Sequence, residues 1–95
     1  MRIYNDKVHE VIAMAIDNLR DARFWQAQAE EARAMNGHNY YGIDYALSKA
    51  DKLKSNAYYL YNISKQMRKA QGQRKVKLFN LAQEVDWEAW EIVND

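Results

Sequence analysis

The sequence has no cysteine, no proline and only three glycines in 95 residues. Without cysteine there is no disulfide framework, no thiolate metal site and no thiol nucleophile. That composition fits a reducing, cytoplasmic setting. With glycine confined to Gly37, Gly42 and Gly72, nothing between those points interrupts a long helix. No apolar run approaches the ~18–20 residues of a membrane span, so no membrane partner is expected. The opening Met1-Arg2-Ile3-Tyr4-Asn5-Asp6 lacks the apolar block of a signal peptide.

Catalytic patterns are also missing. Gly37 and Gly42 are spaced like the glycines of a phosphate loop, but Ile43 stands where its lysine is required. His9-Glu10 opens a zinc-peptidase helix pattern that fails at Ala13, where the second histidine belongs. Asp6 and His9 lie one turn apart, yet no second pair completes a metal site. Ser48, Ser55 and Ser64 fall mid-helix without a histidine at a useful spacing. The expectation is a non-enzyme with no catalytic residue, metal or cofactor.

What is present is periodicity. Ile43, Ala46, Ala50, Leu53, Ala57, Leu60, Ser64 and Met67 recur in alternating steps of three and four residues. A sustained 3.5-residue period specifies a helix whose apolar seam faces another helix along its length. The expected class is all-α: a long antiparallel, coiled-coil-like hairpin with a shorter third helix, in one domain covering 1–95. The helices are expected at about 7–35, 43–70 and 74–93. Asn5 or Asp6 suits the first N-cap, and Asn36-Gly37 the first stop. The first helix carries an inner stripe of Val8, Val11, Ile12, Ala15, Leu19, Ala22, Trp25, Ala29 and Ala32.

A short turn makes the first two helices antiparallel neighbours. The expected register sets Ala29 against Ala50, Ala22 against Ala57, Leu19 against Leu60 and Ile12 against Met67, with Trp25 beside Leu53. Small then faces small, and large faces large. The third helix presents Leu78, Ala82, Val85, Ala89 and Ile92 on one face and is expected near Ile16, Tyr59 and Ile63. Asp86 offers an alternative cap for a separate short helix. The third helix is too short to cover the hairpin to its tip.

Charge is unevenly spread about a net of +1. Lys65, Arg68, Lys69, Arg74, Lys75 and Lys77 surround the second turn, and no acid occurs from Lys52 to Gln83. Five acids and no base follow, from Glu84 to Asp95. The third helix is thus basic at its start and acidic at its end, against its dipole at ~0.3–1 kcal/mol per charge. A solvated helix end or an acidic protein contact is one reading of the cluster. Nucleic-acid or nucleotide binding, with Tyr58, Tyr59 and Tyr61 nearby for stacking, is the other.

Seven tyrosines, three tryptophans and two phenylalanines exceed what the seams can hold. Phe24, Tyr40, Tyr41 and Tyr45 gather near the hairpin tip, and Trp87 and Trp90 share one face of the third helix. Tyr and Trp tolerate partial exposure and are enriched at interfaces. The expected function is a small interaction protein that self-associates around Phe24, Tyr41 and Tyr45 and binds or inhibits a protein partner. Its size, helical composition and missing motifs suit a phage or mobile-element accessory protein.

Overall fold

Two proline-free stretches of 30 residues and one of 22 form the three helices of the computed structural model, which describes residues 7–36 and 40–94. They are α1 (Lys7–Asn36), α2 (Tyr40–Lys69) and α3 (Gln73–Asn94), with no strand among the described residues. The second helix starts three residues earlier than expected, so Tyr40 and Tyr41 belong to its first turn. The side chains of those two tyrosines lie outside the described residues, as do the caps expected at Asn5, Asp6 and Gly37. The second turn is closed at Gly72, whose φ of 61° is left-handed. A Cβ there would meet nothing within 4 Å, so the backbone conformation alone demands glycine. The Gly72 carbonyl accepts from the N–H groups of Lys75 at 3.1 Å and Val76 at 3.3 Å, which starts α3.

Heptad letters describe the hairpin. In α2, Ile43, Ala50, Ala57 and Ser64 take a, and Ala46, Leu53, Leu60 and Met67 take d; all eight are buried. In α1, Val8, Ala15, Ala22 and Ala29 take a, and Val11, Asn18, Trp25 and Ala32 take d. The register differs from the expected one by about one helical turn. Ala22 clusters with Leu53, and Ala29 with Ile43 and Ala46. Ala15 joins Leu60. Trp25 does pack against the Leu53 cluster, and Ile12 against the cluster that contains Met67, as expected. Small faces large in the layers of Ala15 with Leu60 and Ala22 with Leu53, which keeps those layers near native packing density, whereas Ala29 meets Ala46 at the tip. Alanine opposite alanine throughout would leave voids, and leucine opposite leucine would push the helices apart.

The third helix fills the groove on one side of this seam. Its expected face is correct: Ala82, Val85 and Ala89 are buried, with Leu78 and Ile92 packed beside them. Its seat is only partly as expected. Ile63 is buried under it, but Ile16 and Tyr59 are exposed. The g positions of α2 explain the choice, since Asn56, Ile63 and Ala70 recur every seven residues along that side. α3 runs antiparallel to α2, with Ala82 near Ile63 and Ala89 near Leu53. At 1.5 Å per residue it spans about 33 Å against about 45 Å for each hairpin helix. The cluster at the tip, built on Ala29, Ile43 and Ala46, contains no residue of α3.

A polar layer sits inside. Asn18, a residue outside the expected apolar stripe, is 3% exposed at a d position. Its Nδ2 donates to the Met14 carbonyl at 2.7 Å and to Asp86 Oδ1 at 3.1 Å. Asp86 thus ties α3 to α1 within one continuous helix, and it caps no separate one. Asn18 Oδ1 and Asn56 Nδ2 are buried without a protein partner among the described residues. Each such group costs about 1–3 kcal/mol, so the layer favours one register at the expense of stability. Asp21 lies beside it. Burial pushes its carboxyl above the ordinary carboxylate value, Asp17 and Asp86 push it further, and Arg20 opposes.

Two outcomes follow from this packing. Ala82 is fully buried, so Ala82→Leu should cost about 1–3 kcal/mol in urea denaturation followed by helical circular dichroism. Asp21 is harder to ionise in the folded chain than in the unfolded one, so its charge costs stability above its folded pKa. The cost is absent below the unfolded pKa and grows as pH rises between the two. Asp21→Asn should raise the melting temperature at neutral pH, with the gain vanishing as pH falls below the carboxylate range. An unchanged melting temperature at pH 7 contradicts this account.

Candidate interaction surfaces

At the tip the seam is two helices thick, and aromatic rings take the place of α3. Trp25, at a d position, is half-buried and holds two neighbours edge-on. Phe24 lies 5.6 Å away at 85°, and Tyr45 lies 6.2 Å away at 86°. Lys49 follows Asn56, Ile63 and Ala70 in the g row, toward the tip. It is only 6% exposed. Its Nζ sits 4.5 Å from the Trp25 ring centroid and 4.6 Å from that of Tyr45. Burying an ammonium is costly unless something compensates, and two ring faces supply up to about 2 kcal/mol when desolvated. Phe24 and Tyr45 remain 56% and 50% exposed on this braced framework.

The remaining aromatic candidates form a separate cluster. Trp87 and Trp90 are exposed on α3 and stack with centroids 5.0 Å apart at 16°. Glu84, Glu88 and Glu91 share a shallow groove with Trp87. Asn94 Nδ2 donates to the Trp90 carbonyl at 2.8 Å and ties down the last turn. Among the described residues no ring contact joins Phe24 or Tyr45 to Trp87 or Trp90.

The basic candidates flank the turn at the opposite end. Lys65, Arg68 and Lys69 close α2, and Arg74, Lys75 and Lys77 open α3. Lys75 is half-buried and the other five are exposed. Among the described residues none of the six forms a salt bridge. Lys65 Nζ lies 4.7 Å above the Tyr61 ring. Arg68 and Lys69 complement the C-terminus of α2, but α3 has no acid in its first turn and no base in its last. Glu88 and Lys52 line one groove between α2 and α3.

Sequence reading missed two features. One is Lys49, whose signal was its place in the g row. The other is the shoulder opposite α3, where Ile12, Ile16, Leu19, Tyr58 and Tyr61 line an apolar groove of about 260 Å³. Ile12 and Leu19 were assigned to the inner stripe, and a third helix was expected near Ile16. Ser64 Oγ donates to the Tyr61 carbonyl at 2.6 Å, which occupies its proton within its own helix. Among the described residues no three His, Asp or Glu side chains gather where they could hold a metal ion. No helix among them is long and apolar enough to cross a membrane.

Comparison with protein-family models, with curated proteins and with solved structures finds no match. The surfaces must be read from their own chemistry. Lys49→Ala should destabilise the tip by about 1–2 kcal/mol, while Lys52→Ala, at an exposed position, should change little. Hydrogen exchange of amides 43–50 reads the difference. Equal protection in both variants would mean that the ring contacts contribute nothing.

Proposed function

We propose that this chain is a non-enzymatic helical interaction protein that self-associates and binds or inhibits a protein partner. The tip around Phe24, Trp25 and Tyr45 is the partner contact. One observation carries this reading: the buried Lys49 braces the Trp25 and Tyr45 rings beside a tip cluster that contains no residue of α3. Aromatic groups held rigid before binding lose little entropy on docking, which is how interface anchors gain affinity. An accessory role in the cytoplasm, of the kind phages and mobile elements encode, suits a chain of this size.

The second reading is nucleic-acid or nucleotide binding at Lys65, Arg68, Lys69, Arg74, Lys75 and Lys77. It is favoured by six cations without an ion pair among the described residues and by the Lys65–Tyr61 contact. Phosphate contacts release counterions, so such binding weakens steeply as salt rises.

One experiment separates the two. The full chain, a Phe24→Ala/Tyr45→Ala variant and an Arg74→Ala/Lys75→Ala variant are compared in quantitative pull-downs from the native host. The same three are titrated with single- and double-stranded oligonucleotides and cyclic dinucleotides at two salt concentrations. The expected result is a protein retained by the native chain and the Arg74/Lys75 variant but lost from the tip variant, with no oligonucleotide binding. Oligonucleotide binding at low salt that disappears in the Arg74/Lys75 variant would favour the second reading.

A further inference from the structure

The e and b positions of both hairpin helices point away from α3 and form a continuous face. Its middle is the apolar groove of Ile12, Ile16, Leu19, Tyr58 and Tyr61. A second groove of about 270 Å³, sharing Leu19 and Tyr58 with the first, extends it toward the tip past Asp51 and Lys54. Ile16 is 53% exposed, and both tyrosines are comparably open. Single exposed apolar residues are ordinary, but a contiguous strip between two helices is the surface that a further helix pair covers in a four-helix bundle.

The charge pattern says what covers it. The b row of α2 reads Asp44, Asp51, Tyr58, Lys65 at seven-residue spacing: acidic toward the tip, apolar in the middle, basic toward the turn. Such a row is complementary to itself when reversed. We propose that this face binds a second copy of the chain in antiparallel orientation, with the two-fold axis passing near Tyr58. α2 then lies over α2 of the second copy, and Asp51, seven residues before Tyr58, meets Lys65, seven residues after it, twice by symmetry. The apolar strips of both copies form the centre, with Ile16 over Leu19 of the second copy.

The opposite orientation is disfavoured by the same charges. A parallel pair would set two basic turns side by side, each carrying six cations between Lys65 and Lys77. The antiparallel pair places them at opposite ends and aligns the helix dipoles favourably. It also leaves the Phe24–Trp25–Tyr45 tip of each copy open, so that one dimer presents two partner contacts. The inference rests on the self-association included in the proposed function, and it moves that contact from the tip to the shoulder.

Sedimentation velocity or light scattering across micromolar concentrations tests it, on the full chain and on variants checked by circular dichroism. The native chain is expected to be a dimer. Ile16→Glu should give a helical monomer, and Tyr58→Lys gives the same readout should that variant fail to fold. Asp51→Lys and Lys65→Asp should each weaken dimerisation by about tenfold or more, since each sets like charges against one another. The double variant Asp51→Lys/Lys65→Asp should recover most of the loss, because the reversed pair is again complementary. A native chain that stays monomeric would overturn both this inference and self-association. A dimer that survives Ile16→Glu but is lost in Phe24→Glu would overturn the inference alone, as would a double variant no better than the single ones.

Discussion

Close approach of α1 and α2 is the constraint on which the rest of the structure depends. It comes from the alanines of the seam: Ala15 by Leu60, Ala22 by Leu53, Ala29 with Ala46 and Ala32 beside Ile43. Two helices this close expose shoulders too shallow to form a core alone. One shoulder carries Asn56, Ile63 and Ala70 and is filled by α3 through Ala82, Val85 and Ala89. The other carries Ile12, Ile16, Leu19, Tyr58 and Tyr61 and is covered by no helix among the described residues. Length then sets where the covered shoulder ends. α3 stops at the layer of Ala22 and Leu53, and the last stretch of groove is closed by Trp25, Tyr45 and the ammonium of Lys49.

The electrostatics follow the same geometry. Inside, Asn18 and Asp86 link α1 to α3 at 3.1 Å, while Asp21 ionises against burial and two like charges. These contacts select a register more than they stabilise it, since a hydrogen bond contributes about 1 kcal/mol net and an unpaired buried polar group costs as much or more. Outside, the basic turn lies at one end of the molecule and the aromatic tip at the other. Two ends of such different chemistry are suited to different contacts, and the helical rods hold them apart.

Much of the architecture was legible from local pattern. The seam of α2, from Ile43 to Met67, is buried at every expected position. The inner face of α3 was readable from Leu78 to Ile92. Both are apolar rows on a single helix, and a period is a property of one helix. What failed involved two elements at once. The facing pairs were displaced by about a turn, because a heptad row fits its partner at several offsets and only the volume of each layer chooses among them. Leu19 was expected inside and Asn18 was not, because hydropathy ranks leucine as core. Asn18 is buried because Met14 and Asp86 accept its protons, and Asp86 arrives from 68 residues away.

The sequence by itself determined that the chain is helical, that the second turn falls at Gly72, and how its charges are divided along it. Those follow from absent proline, a glycine at the turn and a 3.5-residue period, all of which act within a few residues of one another. Only the tertiary structure decided which shoulder α3 would cover, and with it which aromatics stay exposed. The physical reason is that α1 and α2 each offer two shoulders, and the choice rests on the sum of contacts that all three helices make. Lys49 lies at the end of the covered one and is held by Trp25 from a different helix, an arrangement no single-helix pattern contains.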